Sequence, residues 1–164
     1  MLKKLSIAAA IAVLSISAQA QTANPIYVGA DIGSTKVDGL TDNKTSYGAF
    51  AGYKFSENFA AEVAYRQLFK TDVGPVSVDG TQTAVSVLGI APISKEFQVF
   101  GRLGYNQLKA SASFAGRSGS GTDSGVLYGV GVQYQFTANI GARLEFQKPA
   151  SDTKNFSAGV TYSF

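Results

Sequence analysis

The sequence contains no cysteine, no histidine and no tryptophan, and charged residues fill only 15% of its 164 positions. Soluble domains carry about 25%. Without cysteine there can be no disulfide, thiol nucleophile, zinc ribbon or iron–sulfur site. Without histidine the usual general base and the commonest metal ligand are both missing, so the ordinary routes to hydrolase chemistry are closed. Beyond the N-terminal segment no run approaches 18 consecutive apolar residues, and no membrane-spanning helix is expected. A clustered basic face is also lacking, which argues against a nucleic-acid partner. No cofactor or metal site is expected.

What the chain has instead is glycine (18 residues), aromatics (8 Tyr and 11 Phe) and a 45% hydrophobic content. Its first twenty residues form a unit of their own. Lys3 and Lys4 precede a largely apolar stretch, Leu5–Ile16, and Ala18-Gln19-Ala20 supplies small residues for cleavage. This order is that of a secretory signal peptide, residues 1–20. The stretch is shorter than the about 20 residues a spanning helix needs, and no cysteine follows it to carry a lipoprotein anchor. Taking Lys3 and Lys4 from the 14 basic residues leaves 12 against 11 acidic ones, so residues 21–164 are nearly neutral.

Along 21–164 the recurring pattern is period-two alternation in blocks of about ten residues. Val126, Tyr128, Val130, Val132, Tyr134 and Phe136 alternate with Leu127, Gly129, Gly131, Gln133 and Gln135. Seven further strands are expected, near 25–33, 46–55, 58–69, 81–91, 97–108, 139–147 and 154–164. Short connections at Ser56–Asn58, Pro92–Glu96 and Thr137–Asn139 alternate with longer ones at Ser34–Thr45, Lys70–Gly80, Lys109–Ser124 and Lys148–Thr153. Even strand number, with tight turns at one end and long loops at the other, is the plan of an all-β, eight-stranded antiparallel up-and-down transmembrane barrel. Residues 55–65 (FSENFAAEVAY) also align without gaps on 136–146 (FTANIGARLEF), with a weaker echo from Ala91 to Tyr105, so the repeating unit is a hairpin.

The two faces of each strand show which side meets lipid. Phe59, Ala61, Val63, Tyr65 and Phe69 share a face with Gln67; Ala60, Glu62, Ala64, Arg66 and Leu68 form the other. Charges among small residues suit the narrow interior of an eight-stranded barrel, and the apolar face must then look outward, where in water it would be an aggregating patch. Tyr53, Phe55, Phe59, Phe97, Tyr134 and Phe136 lie beside the short turns, with Tyr162 and Phe164 at the C-terminus. Tyr47, Tyr65, Phe69, Tyr105, Tyr128, Phe146 and Phe156 lie nearer the long loops. Two such belts match the aromatic girdles of membrane barrels. Ten residues at about 3.3 Å, tilted near 40–45°, cover about 23–25 Å, the height of the apolar band. Strand 81–91 is apolar on both faces, and its register stays open.

In order and spacing, YVGADIG (27–33), GYKFSENFAAEVAY (52–65), FGRLGY (100–105), GVQYQFTANIGARLEF (131–146) and AGVTYSF (158–164) resemble the small outer-membrane β-barrels related to the OmpA transmembrane domain and OmpX. The resemblance implies the outer membrane of a Gram-negative bacterium, contact with lipid and lipopolysaccharide, and handling by periplasmic chaperones and the barrel assembly machinery. The ending Phe156, Val160, Tyr162, Phe164 looks like the C-terminal signal read by that machinery. Full-length OmpA-type proteins continue into a peptidoglycan-binding domain; the sequence ends at Phe164, so cell-wall tethering is not expected of it. Barrel enzymes of this membrane rely on a catalytic histidine, which is missing here.

The inward charges Glu62, Arg66, Arg102, Arg143 and Glu145, with Asp31 and Lys54, remain to be explained. Glu62 and Arg143 occupy equivalent heights on the third and seventh strands, opposite each other in an eight-strand ring, so they can meet near the axis. Paired, they form a polar plug; unpaired they would be costly. A charged constriction passing small solutes is the other reading. The leading expectation is a non-enzymatic integral membrane protein that acts through its outer loops. The alternative is a narrow passive porin-type channel. The loop 109–124, with Phe114 its apolar handle, is the longest, and an extracellular ligand would meet such loops.

Overall fold

The computed structural model describes residues 24–37, 43–73, 76–114 and 117–164; the signal-peptide segment lies outside them. Eight strands follow one another: β1 (Ile26–Val37), β2 (Lys44–Lys54), β3 (Phe59–Val73), β4 (Val76–Pro92), β5 (Phe97–Phe114), β6 (Arg117–Gln135), β7 (Ile140–Ala150) and β8 (Thr153–Ser163). Each pairs antiparallel with its neighbour, and β8 closes on β1 from Tyr27↔Ser163 to Val37↔Thr153, making a closed barrel. Around the closed part of the barrel every strand is bonded on both sides, which lipid demands because it offers no hydrogen-bonding partner.

The short turns explain the hairpin repeat. Ser56 Oγ accepts from the backbone N–H of Asn58 (3.3 Å) and Phe59 (3.0 Å). Ser94 Oγ does the same for Glu96 (3.2 Å) and Phe97 (3.0 Å), and Thr137 Oγ1 for Asn139 (3.3 Å) and Ile140 (3.0 Å). A hydroxyl thus replaces the backbone acceptor in all three turns. In two of them an asparagine also ties the turn to the next wall: Asn58 Nδ2 donates to the Ile90 carbonyl (3.1 Å) and Asn139 Nδ2 to that of Ser163 (2.7 Å).

The outward face is the apolar one. Val63, Leu103, Val130, Phe136 and Val160 each expose more than half of their surface. Among the described residues, lysines return on that face only toward the loop end, where Lys36 lies directly opposite Lys154. The register left open by the sequence is settled on β4, where Gln82, Ala84, Ser86 and Leu88 are buried inward while Val85 and Val87 look out.

Two expectations are corrected. The segment 109–124 is not a loop: β5 continues to Phe114 and β6 begins at Arg117, with the ladder running from Lys109↔Thr122 to Phe114↔Arg117. Serine, threonine and glycine there carry little helix or core signal, but an antiparallel partner satisfies their backbone groups, and above the membrane neither face has to be apolar. The other connections shorten likewise, since β1 runs to Val37, β3 to Val73 and β8 starts at Thr153. Phe69 is not on the outward face. A bulge between Gln67 and Phe69 inserts Leu68, which is buried, and shifts Phe69 to pair with inward Gly80. One extra residue reverses the facing of everything beyond it.

Candidate functional site

The barrel interior is built in layers. Nearest the short turns, Tyr27, Phe50, Ala60, Leu88 and Phe100 form an apolar cluster. Above it Glu62, only 2% exposed, accepts hydrogen bonds from Tyr27 (3.0 Å), Arg143 Nη1 (2.8 Å) and Arg102 Nη2. Arg102 reaches Glu145 through Nε (2.5 Å) and Nη2 (3.1 Å), and Ser86 through Nη1 (3.3 Å). Arg143 Nε lies 3.8 Å from Glu145. The Arg143 guanidinium is stacked between two rings of the apolar layer, 4.6 Å from Phe50 and 4.3 Å from Phe100.

Higher still, Arg66 pairs with Asp31 at 2.8 Å and donates to Asn155, which in turn donates to Thr35 and Ser46 (2.8 Å each). With its amide oxygen turned toward the guanidinium, Gln147 accepts from Arg66 at 3.3 Å. Asn106 donates to the Pro149 carbonyl at 2.8 Å. Three carboxylates and three guanidiniums balance, so these buried groups form a neutral, hydrogen-bonded set instead of isolated charges. Among the described residues a void of about 10 Å³ lies beside Asp31, Glu62, Arg66, Gln82 and Arg102, about the volume one water needs. Asp31 Oδ1 and Gln82 Nε2 face it without a protein partner.

Glycine makes room for this packing. Glu62 lies opposite Gly52, Arg66 opposite Gly48, Arg102 opposite Gly129, Arg143 opposite Gly159 and Glu145 opposite Gly131. The aromatics obey the same rule: Tyr27 covers Gly52, Phe50 covers Gly29, Phe100 covers Gly131 and Phe69 covers Gly80. A Cβ on any of those four glycines would strike the ring above it.

The structure brings Glu62, Arg102, Arg143 and Glu145 into one cluster and places Arg66 in the neighbouring one with Asp31. Lys54 stands at the turn end, its ammonium 5.8 Å from the Tyr27 ring. Tyr53, Phe59, Tyr134 and Phe136 are exposed on the outer wall, with Phe55 and Phe97 half-buried beside them. Phe156, Val160, Tyr162 and Phe164 share that outer face. Sequence reasoning missed Tyr27, Phe50, Phe100 and Asn155. The signal for the three aromatics is a glycine directly across the ladder, legible only once the register is known.

Among the described residues no group of acidic, histidine or cysteine side chains is arranged to hold a metal ion. The chain resembles outer membrane protein A of Salmonella typhi at 29% identity over 198 residues, covering 99% of this chain and 56% of that protein. It thus spans about half the length of the curated relatives it matches. Among solved structures, Neisserial surface protein A superposes with a TM-score of 0.71 at 18% identity, covering 85% of this chain and 97% of that one. Ail, the attachment invasion locus protein of Yersinia pestis, determined with the heparin analogue sucrose octasulfate, superposes with a TM-score of 0.65 at 21% identity over 86% of this chain and 97% of that one. Residues 6–164 match the outer membrane protein beta-barrel domain family, and the chain belongs to that family as an eight-stranded barrel of the Gram-negative outer membrane.

Proposed function

We propose that this chain is a non-enzymatic barrel whose interior is a structural plug and whose contacts are made on its outside. The observation that carries this reading is the neutral network of Glu62, Arg102, Arg143 and Glu145, whose buried ion pairs cross the barrel axis. Residues 1–20 serve as a cleaved export signal, and Phe156, Val160, Tyr162 and Phe164 as the segment that chaperones and the assembly machinery read. The turn-side aromatics Tyr53, Phe55, Phe59, Phe97, Tyr134 and Phe136 anchor the inner interface. Above the loop-side belt, Lys36, Lys148 and Lys154 stand at the height where phosphate groups of lipopolysaccharide lie, and Lys148 is 6.0 Å from the Tyr128 ring. Ligands outside the cell meet the strand extensions above that rim.

Planar-bilayer recording of residues 21–164, folded in detergent and checked by a heat-dependent gel shift, tests the plug. Silence of the folded protein is the expected result. A passive channel for ions or small solutes has one observation in its favour, the unpartnered Asp31 Oδ1 and Gln82 Nε2 beside a water-sized void. Reproducible, ion-selective steps altered by Arg102→Ala or Arg143→Ala would establish it in place of the plug.

A further inference from the structure

The barrel wall rises to unequal heights. The β6–β7 ladder reaches only Tyr128↔Lys148, and the β2–β3 ladder stops at Tyr47↔Gln67. β3, β4, β5 and β6 continue upward, bonded to one another as far as Phe114↔Arg117. On this raised sheet the outward side changes character across a single row. Val63, Val85, Tyr105 and Val126 stand side by side in the ladders, each exposed over more than half its surface. One row higher, Tyr65 is followed by Thr83, Gln107 and Ser124; the next row is Gln67, Thr81, Lys109 and Thr122. From Thr83, Gln107 and Ser124 upward, that side holds no apolar side chain among the described residues. Leu108 and the fully buried Leu127 turn to the barrel side instead.

Successive rows lie two residues apart, about 6.7 Å along a strand, or about 5 Å of height at a tilt near 40–45°. The headgroup zone of a phospholipid leaflet is only about 5–8 Å deep. Two polar rows fill that depth, and a third, Asp79, Ser111 and Ser120, lies above it. Phosphate is not what these rows fit. Anionic headgroups attract lysine and arginine, whereas the three rows carry Lys109 alone, offset by Asp79; lysines gather on the short side, at Lys36, Lys148 and Lys154. The remaining side chains are hydroxyls and amides, each able to donate and accept, and they match a ligand that is itself hydroxylated. Thr81, Thr83 and Thr122 are stiff at χ1, so contact costs them little side-chain entropy.

We propose that the outward face of β4, β5 and β6, from Thr83, Gln107 and Ser124 upward, seats the core sugars of lipopolysaccharide in the surrounding leaflet. Position dictates the occupant. This face is the upward continuation of the lipid-facing wall, so a glycolipid whose acyl chains lie against Val85, Tyr105 and Val126 has its sugars against the hydroxyl rows. The leaflet is then held by two chemistries on two sides of the barrel: lysines meet phosphate on the short side, and hydroxyls and amides meet sugar on the tall side. The reversal of polarity on the raised sheet follows, because its outward side chains pass from acyl chains to sugar while Leu108 and Leu127 stay turned from both. This inference deepens the outside-contact reading and rests on it.

Two glycolipids are titrated onto the barrel folded in detergent micelles and counted by native mass spectrometry: lipid A alone, and the same lipid A carrying its core oligosaccharide. The core-bearing form should bind about tenfold more tightly, the scale of a few net hydrogen bonds. Thr83→Val, Gln107→Leu and Thr122→Val together should erase that preference, leave lipid A binding unchanged and keep the heat-dependent gel shift. Gln107→Leu alone, at the centre of its row, should reduce the preference about threefold, and Thr83→Ser with Thr122→Ser should preserve it. Lys36→Gln with Lys148→Gln should weaken both glycolipids alike and leave their ratio intact. Equal binding of the two by the parent, or a preference that survives the triple substitution, overturns the proposal. A preference lost with the two lysines overturns it in favour of the core's own anionic groups. A delipidated core oligosaccharide that binds as tightly as the whole glycolipid overturns it in favour of a glycan from solution. Retention of neither glycolipid sinks the lipopolysaccharide contact itself, whereas lipid A retained without any preference for the core sinks only the sugar-binding face.

Discussion

In the closed part of the barrel, from the layer of Tyr27 up to that of Arg66, each strand is bonded on both sides, and Tyr27, Arg102 and Arg143 reach Glu62 across the interior. In the raised part of β6, from Gly119 to Leu127, the strand is bonded on one side only and three of nine residues are glycine. The same residue type plays opposite roles in the two regions. Inside the barrel Gly52, Gly131 and Gly29 are each covered by a ring; outside, Gly119, Gly121 and Gly125 are bare. The difference separates where the free energy of the fold is stored from where it can be spared. Glycine weakens a strand unless something packs over it, so bare glycines belong where the barrel does not depend on them.

The sharpest way to break this contrast is at the centre of the plug. Glu62 accepts from Arg102, Arg143 and Tyr27. Glu62→Ala leaves two buried guanidiniums without their shared carboxylate, and removing one member of such a set costs about 3–5 kcal/mol. Urea unfolding followed by the heat-dependent gel shift should show a loss of that size, while amide hydrogen exchange at 119–127 stays unchanged. A loss below 1 kcal/mol on the scale of surface substitutions would mean that the network is hydrated and replaceable.

Next comes the glycine rule. Gly131→Val places a side chain against the Phe100 ring and the Leu144 carbonyl, and forcing extra methyl groups into a packed core costs about 1–3 kcal/mol. Gly121→Val, on the raised strand, meets nothing and should cost less than about 0.5 kcal/mol. Equal costs at the two positions, measured in the same titration, would erase the distinction drawn between them.

Much of the lower region was legible without a structure. Glu62 and Arg143 were placed at one height by the hairpin repeat, and their 2.8 Å contact follows from the eight-strand ring. The alternation of 125–136 fixed which residues face lipid. What could not be read depends on pairing between distant residues. Phe50 and Phe100 look like any lipid-facing aromatic until their partners Gly29 and Gly131 are known. The facing of Phe69 turns on a single bulge residue, which no period-two count anticipates. The raised part of β6, Arg117 to Ser124, holds no large apolar residue, so the alternation that marks a membrane strand is absent there and it passes for loop. The turns lie between these cases: Ser56, Ser94 and Thr137 recur in the sequence, but the tie from Asn139 to Ser163 is a tertiary contact. Asn139→Ala should cost about 1 kcal/mol, the worth of one hydrogen bond, seen as a shift in the same urea midpoint.

The smallest expected effect is the most informative about the raised sheet. Replacing Lys109–Thr122 by a two-residue Asn-Gly turn joins β5 to β6 at Leu108↔Asp123, a register already present in the ladder and closed by a turn suited to strand twist. The ladder removed carries no member of the charge network and none of the apolar cluster. Stability should therefore stay within about 0.5 kcal/mol of the parent, as for changes away from packed sites. A barrel destabilised by the shortening would show that the raised strands brace the fold, and the open edge of β6 would then be a by-product of that bracing.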